Sequence, residues 1–158
     1  MTVSEPPAAP RLLLAFDFGL RHIGVASGQS ITGTATPLTT LPARAGVPDW
    51  SAVARLVAEW RPDLLVVGLP LNMDATESPM SERARRFAAR LGRETRRPVV
   101  FADERLTSRA ANSNQDSGTA TTSQRSAGRD TGHARAAVLI AETWLNDQRQ
   151  RAATGPAD

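Results

Sequence analysis

The chain has 158 residues, 41% of them hydrophobic, and a formal net charge of +3. This length suits one domain that can bury a core, and it leaves little room for a second domain. The chain has no cysteine, which excludes disulfides, thiolate zinc sites and cysteine nucleophiles. Its only histidines are His22 and His133, so any metal would be bound mainly by oxygen, which favours Mg²⁺ or Mn²⁺.

The sequence carries no recognisable targeting or membrane signal. Residues 1–10 are rich in Pro and Ala and lack the basic and apolar regions of a signal peptide. No apolar run approaches the roughly 20 residues that a membrane-spanning helix needs. We therefore expect a soluble, cytoplasmic protein with no membrane partner, built as one domain at 11–148 between disordered tails at 1–10 and 149–158.

All 19 basic residues are arginine. The planar guanidinium group matches the geometry of phosphate, but a GC-rich genome would produce the same composition without any functional demand. The charge is therefore only weak support for nucleic-acid binding.

The first part of the hydrophobic pattern predicts three strands joined by tight turns. An apolar run over 12–16 ends at the turn signal Asp17-Phe18-Gly19, and two further strands are predicted at 22–27 and at the Thr-rich segment 31–37. Strands connected this closely form an antiparallel meander.

Helical and strand patterns alternate in the rest of the chain. The first helix has Asp49 or Ser51 as its N-cap, and the second begins at Ser78-Pro79 and ends at Gly92. The predicted elements are a helix over 53–60, a strand over 64–67, a helix over 79–91, a strand over 98–102 and a helix over about 134–145.

The segment 108–132 differs from the rest because it contains no Val, Ile, Leu or Phe. Such a segment buries too little apolar surface to offset the entropy of ordering, so we predict a mobile loop. The order of the elements around it predicts an α/β domain with a mixed five-stranded sheet flanked by helices.

Acidic residues follow two of the apolar strands at the point where each strand ends. Asp17 follows the first strand, and Asp103-Glu104-Arg105 follows the fifth. If both strands are central and parallel, their tips lie one or two strand spacings apart, at the edge where ligands bind in open α/β sheets. Carboxylates gathered in this way suit metal-assisted phosphoryl transfer. The alternative interpretations are that Asp17 bonds its own turn and that Asp103 caps a helix.

Two further polar residues, Asp130 and His133, lie one turn apart near the start of the predicted last helix. A histidine in such a place is more often a cap or a surface residue, but His133 is also a candidate general base or weak metal ligand. The serine-nucleophile motif GxSxG, the zinc motif HExxH and the nucleotide motif GxxxxGK[ST] are absent from the sequence.

Four motifs in their order along the chain resemble the YqgF (RuvX) family of pre-16S rRNA nucleases. The similarity covers about 12–107 and resumes at 133–145. The motifs are AFDFGLRHIGVA at 15–26, ITGTA at 31–35, VVGLPLNMD at 66–74 and DERLT at 103–107.

The resemblance implies an RNase H-like fold, shared with Holliday-junction resolvases. It also implies a metal-dependent endonuclease that matures the 5′ end of pre-16S rRNA, with structured RNA in the pre-30S particle as its partner. The family's acids correspond to Asp17 and Glu104, which would hold Mg²⁺ or Mn²⁺. Arg21 would meet a phosphate, and Asn72 and Arg105 would contribute to substrate binding.

The sequence departs from the family pattern where the last helix opens. His133 stands at the place of the family's third acid, and Asp130 is the alternative candidate for that role. The segment 108–132 also lacks the apolar and basic residues usual there. A second hypothesis is therefore a non-catalytic ribosome-assembly factor, and a third is a Holliday-junction resolvase that acts on branched DNA. We expect a monomer or a weak homodimer.

Overall fold

The computed structural model describes the backbone of residues 12–104 and 122–153 and the side chains of 12–104 and 132–151. This part of the chain forms six strands and three helices. The strands are β1 (Leu12–Asp17), β2 (His22–Gln29), β3 (Thr34–Arg44), β4 (Val47–Pro48), β5 (Leu64–Leu69) and β6 (Val99–Asp103). The helices are α1 (Trp50–Trp60), α2 (Pro79–Thr95) and α3 (Thr122–Ala153).

The strands form one mixed sheet in the order β4-β3-β2-β1-β5-β6. Strand β1 pairs antiparallel with β2 and parallel with β5, and β5 pairs parallel with β6. The predicted α/β class with a mixed sheet is therefore confirmed, and the carboxyl ends of β1, β5 and β6 lie at one edge of the sheet. The sixth strand, β4, was not predicted, because it has two residues and pairs only with the end of β3 across the two-residue turn Ala45-Gly46.

Each face of the sheet packs against a different set of helices, because successive side chains of a strand point to opposite faces. Leu14 and Phe16 of β1 belong to one core with α1 and α2. Leu13 and Ala15 belong to a second core, which Ile140 and other residues of α3 complete. All six residues of β5 are buried, as expected for a central strand covered on both faces.

The predicted starts of α1 and α2 agree with the structure. Asp49 caps α1 by accepting a hydrogen bond from the backbone N–H of Ser51, at 3.0 Å, and Ser78 caps α2 in a capping box with Ser81. The predicted end of α2 at Gly92 was wrong. The helix continues to Thr95 and ends where Arg96 adopts a left-handed conformation and donates its N–H to the Gly92 carbonyl.

The third strand and helix α3 differ from the predictions at both of their ends. The third strand starts at Thr34 rather than residue 31, because a turn precedes it. In this turn Gly33 adopts a positive φ of 68° and donates its N–H to the carbonyl of Gln29. It then runs past the predicted end, and its register against β2 shifts beside Pro37. Helix α3 is much longer than 134–145, since it begins within the predicted loop and reaches into the predicted tail.

Some predictions concern residues outside the described part of the chain. They are the tail at 1–10, the part of the loop at 108–121 and the end of the tail at 154–158. Within residues 12–104 and 122–153, no helix is both long and apolar enough to cross a bilayer.

Candidate active site

Asp17 lies at the carboxyl end of β1 between two glycines of the neighbouring strands. On one side it pairs with Gly24 of β2. On the other side Gly68 of β5 lies one residue beyond the Phe16–Val67 pair, at the level of Asp17. Because side chains level with one another in adjacent strands share a face, neither neighbour places a side chain beside the Asp17 carboxyl.

Glu104 reaches Asp17 across β5, although the two residues belong to strands that are not adjacent. Gly68 pairs with Ala102, and Glu104 is two residues further along, so its side chain points to the same face as Gly68. The carboxyl carbon of Glu104 lies 3.4 Å from the position that a Cβ on Gly68 would occupy. Gly68 therefore leaves the space through which the Glu104 side chain approaches Asp17.

The side chains of Asp17 and Glu104 are hydrogen bonded to each other, and we call them the carboxylate pair. Burial raises the pKa of Glu104, and the bond to Asp17 and its negative charge raise it further, to about 9. Burial also raises the pKa of Asp17, against the opposing effects of the bond to Glu104 and of the charge of His133. Two partly buried carboxyl groups this close resist ionising together, so the raised pKa of Glu104 favours one shared proton at neutral pH, which Glu104 donates to Asp17.

His133 is held beside the carboxylate pair by the close packing of α3 on β2. A Cβ on Gly24 would overlap the backbone carbonyl of His133, so only glycine allows the helix to lie this close to the strand. The imidazole ring of His133 stacks on that of His22, with ring centroids 4.7 Å apart and an interplanar angle of 19°. His22 is exposed at the start of β2, on the face that carries Asp17.

The structure separates Asp103 from this site. Asp103 directly precedes Glu104, so strand alternation turns its side chain to the face covered by α1 and α2. Of the two acids that the sequence places at this strand end, Glu104 alone joins Asp17.

Two of the three predicted substrate-binding residues, Arg21 and Asn72, lie in loops at the same edge of the sheet. Arg21 is exposed in the loop between β1 and β2, where its carbonyl accepts the N–H of Ala43 at 2.8 Å. Asn72 is exposed in the loop after β5, where its side chain donates to Thr76 Oγ1 at 3.0 Å. The Asn72 amide is thus oriented by its own loop.

Two candidates lie outside this description. Arg105 is not among the described residues, and Asp130 is described only as part of the backbone of α3, one turn before His133. Within residues 12–104 and 132–151, no three His, Asp or Glu side chains are grouped so that they could hold a metal ion. In that part of the chain, His133 therefore does not complete a three-ligand set with the carboxylate pair.

The sequence and the fold both match known proteins. A family model described as "RuvX: Holliday junction resolvase" matches residues 11–147. The chain belongs to the RuvX family. This confirms the family resemblance of the four sequence motifs and the prediction of a nuclease.

The RuvX relatives include proteins of several bacteria, each named "Putative pre-16S rRNA nuclease". The relative from Marinobacter nauticus is 51% identical over 143 residues, which are 90% of this chain and 98% of the relative. The relative from Yersinia enterocolitica is 48% identical over 141 residues, 89% of this chain and 98% of the relative. The relative from Azotobacter vinelandii is 64% identical over 100 residues, 63% of this chain and 70% of the relative.

Among solved structures, the RuvX chain is similar to RuvC of Thermus thermophilus in complex with a Holliday junction substrate. The TM-score is 0.53 at 14% identity, over 92% of this chain and 96% of RuvC. A second structure of Thermus thermophilus RuvC gives a TM-score of 0.51 at 13% identity, over 88% and 96% of the two chains. This likeness confirms the RNase H-like fold.

Sequence reasoning included Gly24, Gly68 and His22 in the family motifs and placed Gly68 in a wall of the cleft, but it gave none of the three an individual role. Gly24 stands inside a predicted strand and Gly68 directly follows one, and a glycine in a strand often marks a close approach of another group. That signal was present, but the partners of the glycines depend on strand register and helix packing, which the sequence alone does not determine.

Proposed function

We propose that this RuvX protein is a metal-dependent endonuclease that cuts structured RNA, and that its substrate is the 5′ end of pre-16S rRNA within the pre-30S particle. The observation that carries the proposal is the carboxylate pair, two partly buried acids that share a proton, with Asp17 lying between two glycines. The names of the relatives at 48% to 64% identity support the choice of RNA. Ribosome assembly implies action in the cytoplasm.

The residues present fit a divalent cation such as Mg²⁺ or Mn²⁺. The pair offers carboxylate oxygens, which these ions prefer. Its shared proton offsets the repulsion between the two carboxylates, and a bound cation would do the same. Mg²⁺ is commonly held by one or two carboxylates, with water and substrate phosphate oxygens as its other ligands. Asp17 and Glu104 would hold the ion, which supplies electrostatic stabilisation of the charge that develops on the phosphate.

The other residues of the site have roles that follow from their positions. Hydrolysis adds the hydroxyl group of water to phosphorus, breaks the bond to the leaving oxygen and transfers a proton of the water to that oxygen. His133 lies close enough to Asp17 to influence its charge, so it is the described residue best placed to carry this proton. Arg21, exposed in the loop that follows Asp17, would bind a phosphate of the same strand.

Cleavage of pre-16S rRNA in pre-30S particles by wild type, Asp17→Asn and Asp103→Asn tests the proposal. We expect Asp17→Asn to lose cleavage by about a thousandfold or more, and chelation of the metal to abolish cleavage by the wild type. Asp103→Asn is the matched control, because it changes an acid at the same sheet edge but on the opposite face, and it should cut within about threefold of the wild type. Equal cleavage by Asp17→Asn and wild type would show that the activity lies elsewhere.

A second candidate substrate is branched DNA, which the family description "RuvX: Holliday junction resolvase" favours. The same three proteins can be assayed on a four-way DNA junction under the same conditions. Cutting of the junction in preference to pre-16S rRNA, with the same dependence on Asp17, would replace RNA by DNA in the proposal. Binding of RNA without Mg²⁺-dependent cutting would favour the non-catalytic assembly factor.

A further inference from the structure

A groove of about 210 Å³ lies on the face of the sheet opposite the carboxylate pair. It runs between the β3–β4 turn, with Val47 of β4 beside it, and helix α2, and it is lined by both aromatic and basic side chains. We call it the arginine groove. The aromatic residues are Phe18, Trp50 and Phe87, and the basic residues are Arg83, Arg86 and Arg90.

The charge of the arginine groove is positive and available to a ligand. No acidic side chain of the described residues lines it. Arg83 makes no ion pair within residues 12–104 and 132–151. Arg86 pairs with Glu82 at 2.8 Å and Arg90 with Glu94 at 3.5 Å, but both are exposed pairs between adjacent helical turns, which contribute little stability and exchange readily for a phosphate.

The arginines form a row rather than a cluster. They occupy positions i, i+3 and i+7 of α2, so they lie on one face of the helix and extend over about 10 Å along its axis. A row of this length fits successive phosphates of a polymer better than a single phosphate group. Arg85 of the same helix points elsewhere, since it forms a two-point ion pair with Glu77 and lies over the ring of Phe101.

Of the three aromatic residues, Phe18 and Phe87 are buried and support Trp50, which is the ring that a base could contact. Trp50 is half-buried, with the guanidinium group of Arg90 4.9 Å from its ring and the ring of Phe87 5.8 Å away. Its indole N–H is buried and has no hydrogen-bond acceptor among the described residues. Basic grooves with aromatic walls are typical of proteins that bind single-stranded nucleic acid, because phosphates pair with the cations and bases pack on the rings.

The arginine groove and the candidate active site meet at the end of β1, on opposite faces of the sheet. Phe18 follows Asp17 directly, and strand alternation sends its ring into the groove while the Asp17 carboxyl faces the other side. The β3–β4 turn is fixed to the same loop, because Gly46 donates its N–H to Leu20 O at 2.9 Å. A strand with a phosphate at Asp17 therefore needs to cross only the loop 18–21, which carries the exposed Arg21, to reach the row of arginines.

We propose that the arginine groove binds the single-stranded RNA segment that flanks the scissile phosphate, with Arg83, Arg86 and Arg90 contacting its phosphates and Trp50 contacting a base. This inference rests on the proposed nuclease function. It gives the substrate a direction, from the carboxylate pair over the loop 18–21 to helix α2. It also predicts a preference for RNA whose structured part continues into an unpaired tail.

The test measures binding without cleavage, so that it does not depend on the activity. Two proteins are compared, Asp17→Asn alone and Asp17→Asn with Arg83→Gln and Arg86→Gln. Their binding to a labelled hairpin RNA with a single-stranded tail is measured by fluorescence anisotropy over a range of salt concentrations. We expect about tenfold weaker binding at low salt and a slope of log Kd against log salt that is smaller by about 1.4, since each lost phosphate contact on a single strand removes about 0.7.

Arg55→Gln/Arg151→Gln is the matched control in the same background. It removes the same charge from exposed helical positions outside the groove, one without an ion pair and one paired with Asp147. The control should keep the slope, and removal of the RNA tail should abolish the difference between the groove variant and the background. An unchanged slope in the groove variant, or an equal loss in the control, would overturn the inference, whereas absence of cleavage by the wild type alone would count against the proposed function.

Discussion

Glu104→Gln is expected to stabilise the metal-free protein at pH 8 while it removes Mg²⁺-dependent cleavage. In the wild type, the pKa of Glu104 is raised to about 9 by burial and by the charge of Asp17. In the unfolded state the Glu104 carboxyl is exposed to water and ionises with its ordinary pKa. At any pH above that value, its ionisation therefore stabilises the unfolded state relative to the folded state. The amide of Gln keeps a hydrogen-bond donor for Asp17 and has no proton to lose.

The direction of the pH dependence follows from this shift. Below the ordinary pKa of 4.5, Glu104 is protonated in both states and imposes no penalty. Between 4.5 and about 9 the unfolded state binds fewer protons than the folded state, so the free energy of unfolding falls as pH rises, and the whole contribution is lost above about 9. Glu104→Gln should remove this decline, and its melting temperature at pH 8 should exceed that of the wild type by about 3 °C or more.

Thermal unfolding of metal-free protein from pH 5 to pH 9, with and without added Mg²⁺, measures both effects. Mg²⁺ should raise the melting temperature of the wild type at pH 8, because a cation compensates the pair once it ionises, and it should have little effect on Glu104→Gln. Glu59→Gln, an exposed acid of α1, is the control and should follow the wild-type profile. Parallel pH profiles for wild type and Glu104→Gln would show that the pair does not hold the shared proton.

Gly24→Ala is expected to destabilise the protein strongly and to displace His133. The added Cβ would overlap the backbone of His133 and Ala134, and a helix backbone cannot move aside as a flexible side chain can. Relief requires α3 to shift away from β2, which carries the site. Overpacking of this kind costs roughly 1–3 kcal/mol or more, so the melting temperature should fall by about 3–10 °C. Cleavage should fall as well, because His133 moves relative to Asp17.

Gly92→Ala is expected to stabilise the protein, although it is the same chemical change as Gly24→Ala. Gly92 lies inside α2, and a Cβ there would meet Val99 Cγ2 at 3.5 Å, an ordinary contact. Alanine should therefore stabilise the helix by about 0.5–1 kcal/mol. Thermal unfolding of the two variants beside wild type makes the comparison. If Gly24→Ala were as stable as Gly92→Ala, α3 would not be in close contact with β2, and the placement of His133 would be wrong.

Hydrophobic periodicity was enough to predict most of the fold. The alternating strands and helices predicted the α/β class, and the cap residues Asp49 and Ser78 fixed two helix starts. The candidate site could also be predicted from the sequence, because Asp17 and Glu104 each come after an apolar strand and parallel strands of this kind end at a common edge of the sheet. Both inferences use signals that lie within a few residues of each other in the chain.

The remaining features depend on contacts between distant parts of the chain. The family resemblance had pointed to Glu104, but strand register explains why Glu104 rather than Asp103 faces Asp17, and it places glycines on both sides of Asp17. The packing of α3 decided that His133 stacks on His22. The arginine groove combines residues of the loop after β1, the β3–β4 turn, β4, α1 and α2, none of which marks a binding surface by itself.

The long outer strand β3 has a consequence for self-association. An edge strand has unpaired backbone groups to which a strand of a second chain can add. Prolines and an irregular register oppose such addition, because they remove N–H donors and interrupt the regular pattern of backbone hydrogen bonds. Strand β3 contains Pro37 and Pro42, its register shifts near Pro37, and β4 covers its end. Copies of this protein should therefore not polymerise through β3, and any dimer would have to form through other surfaces.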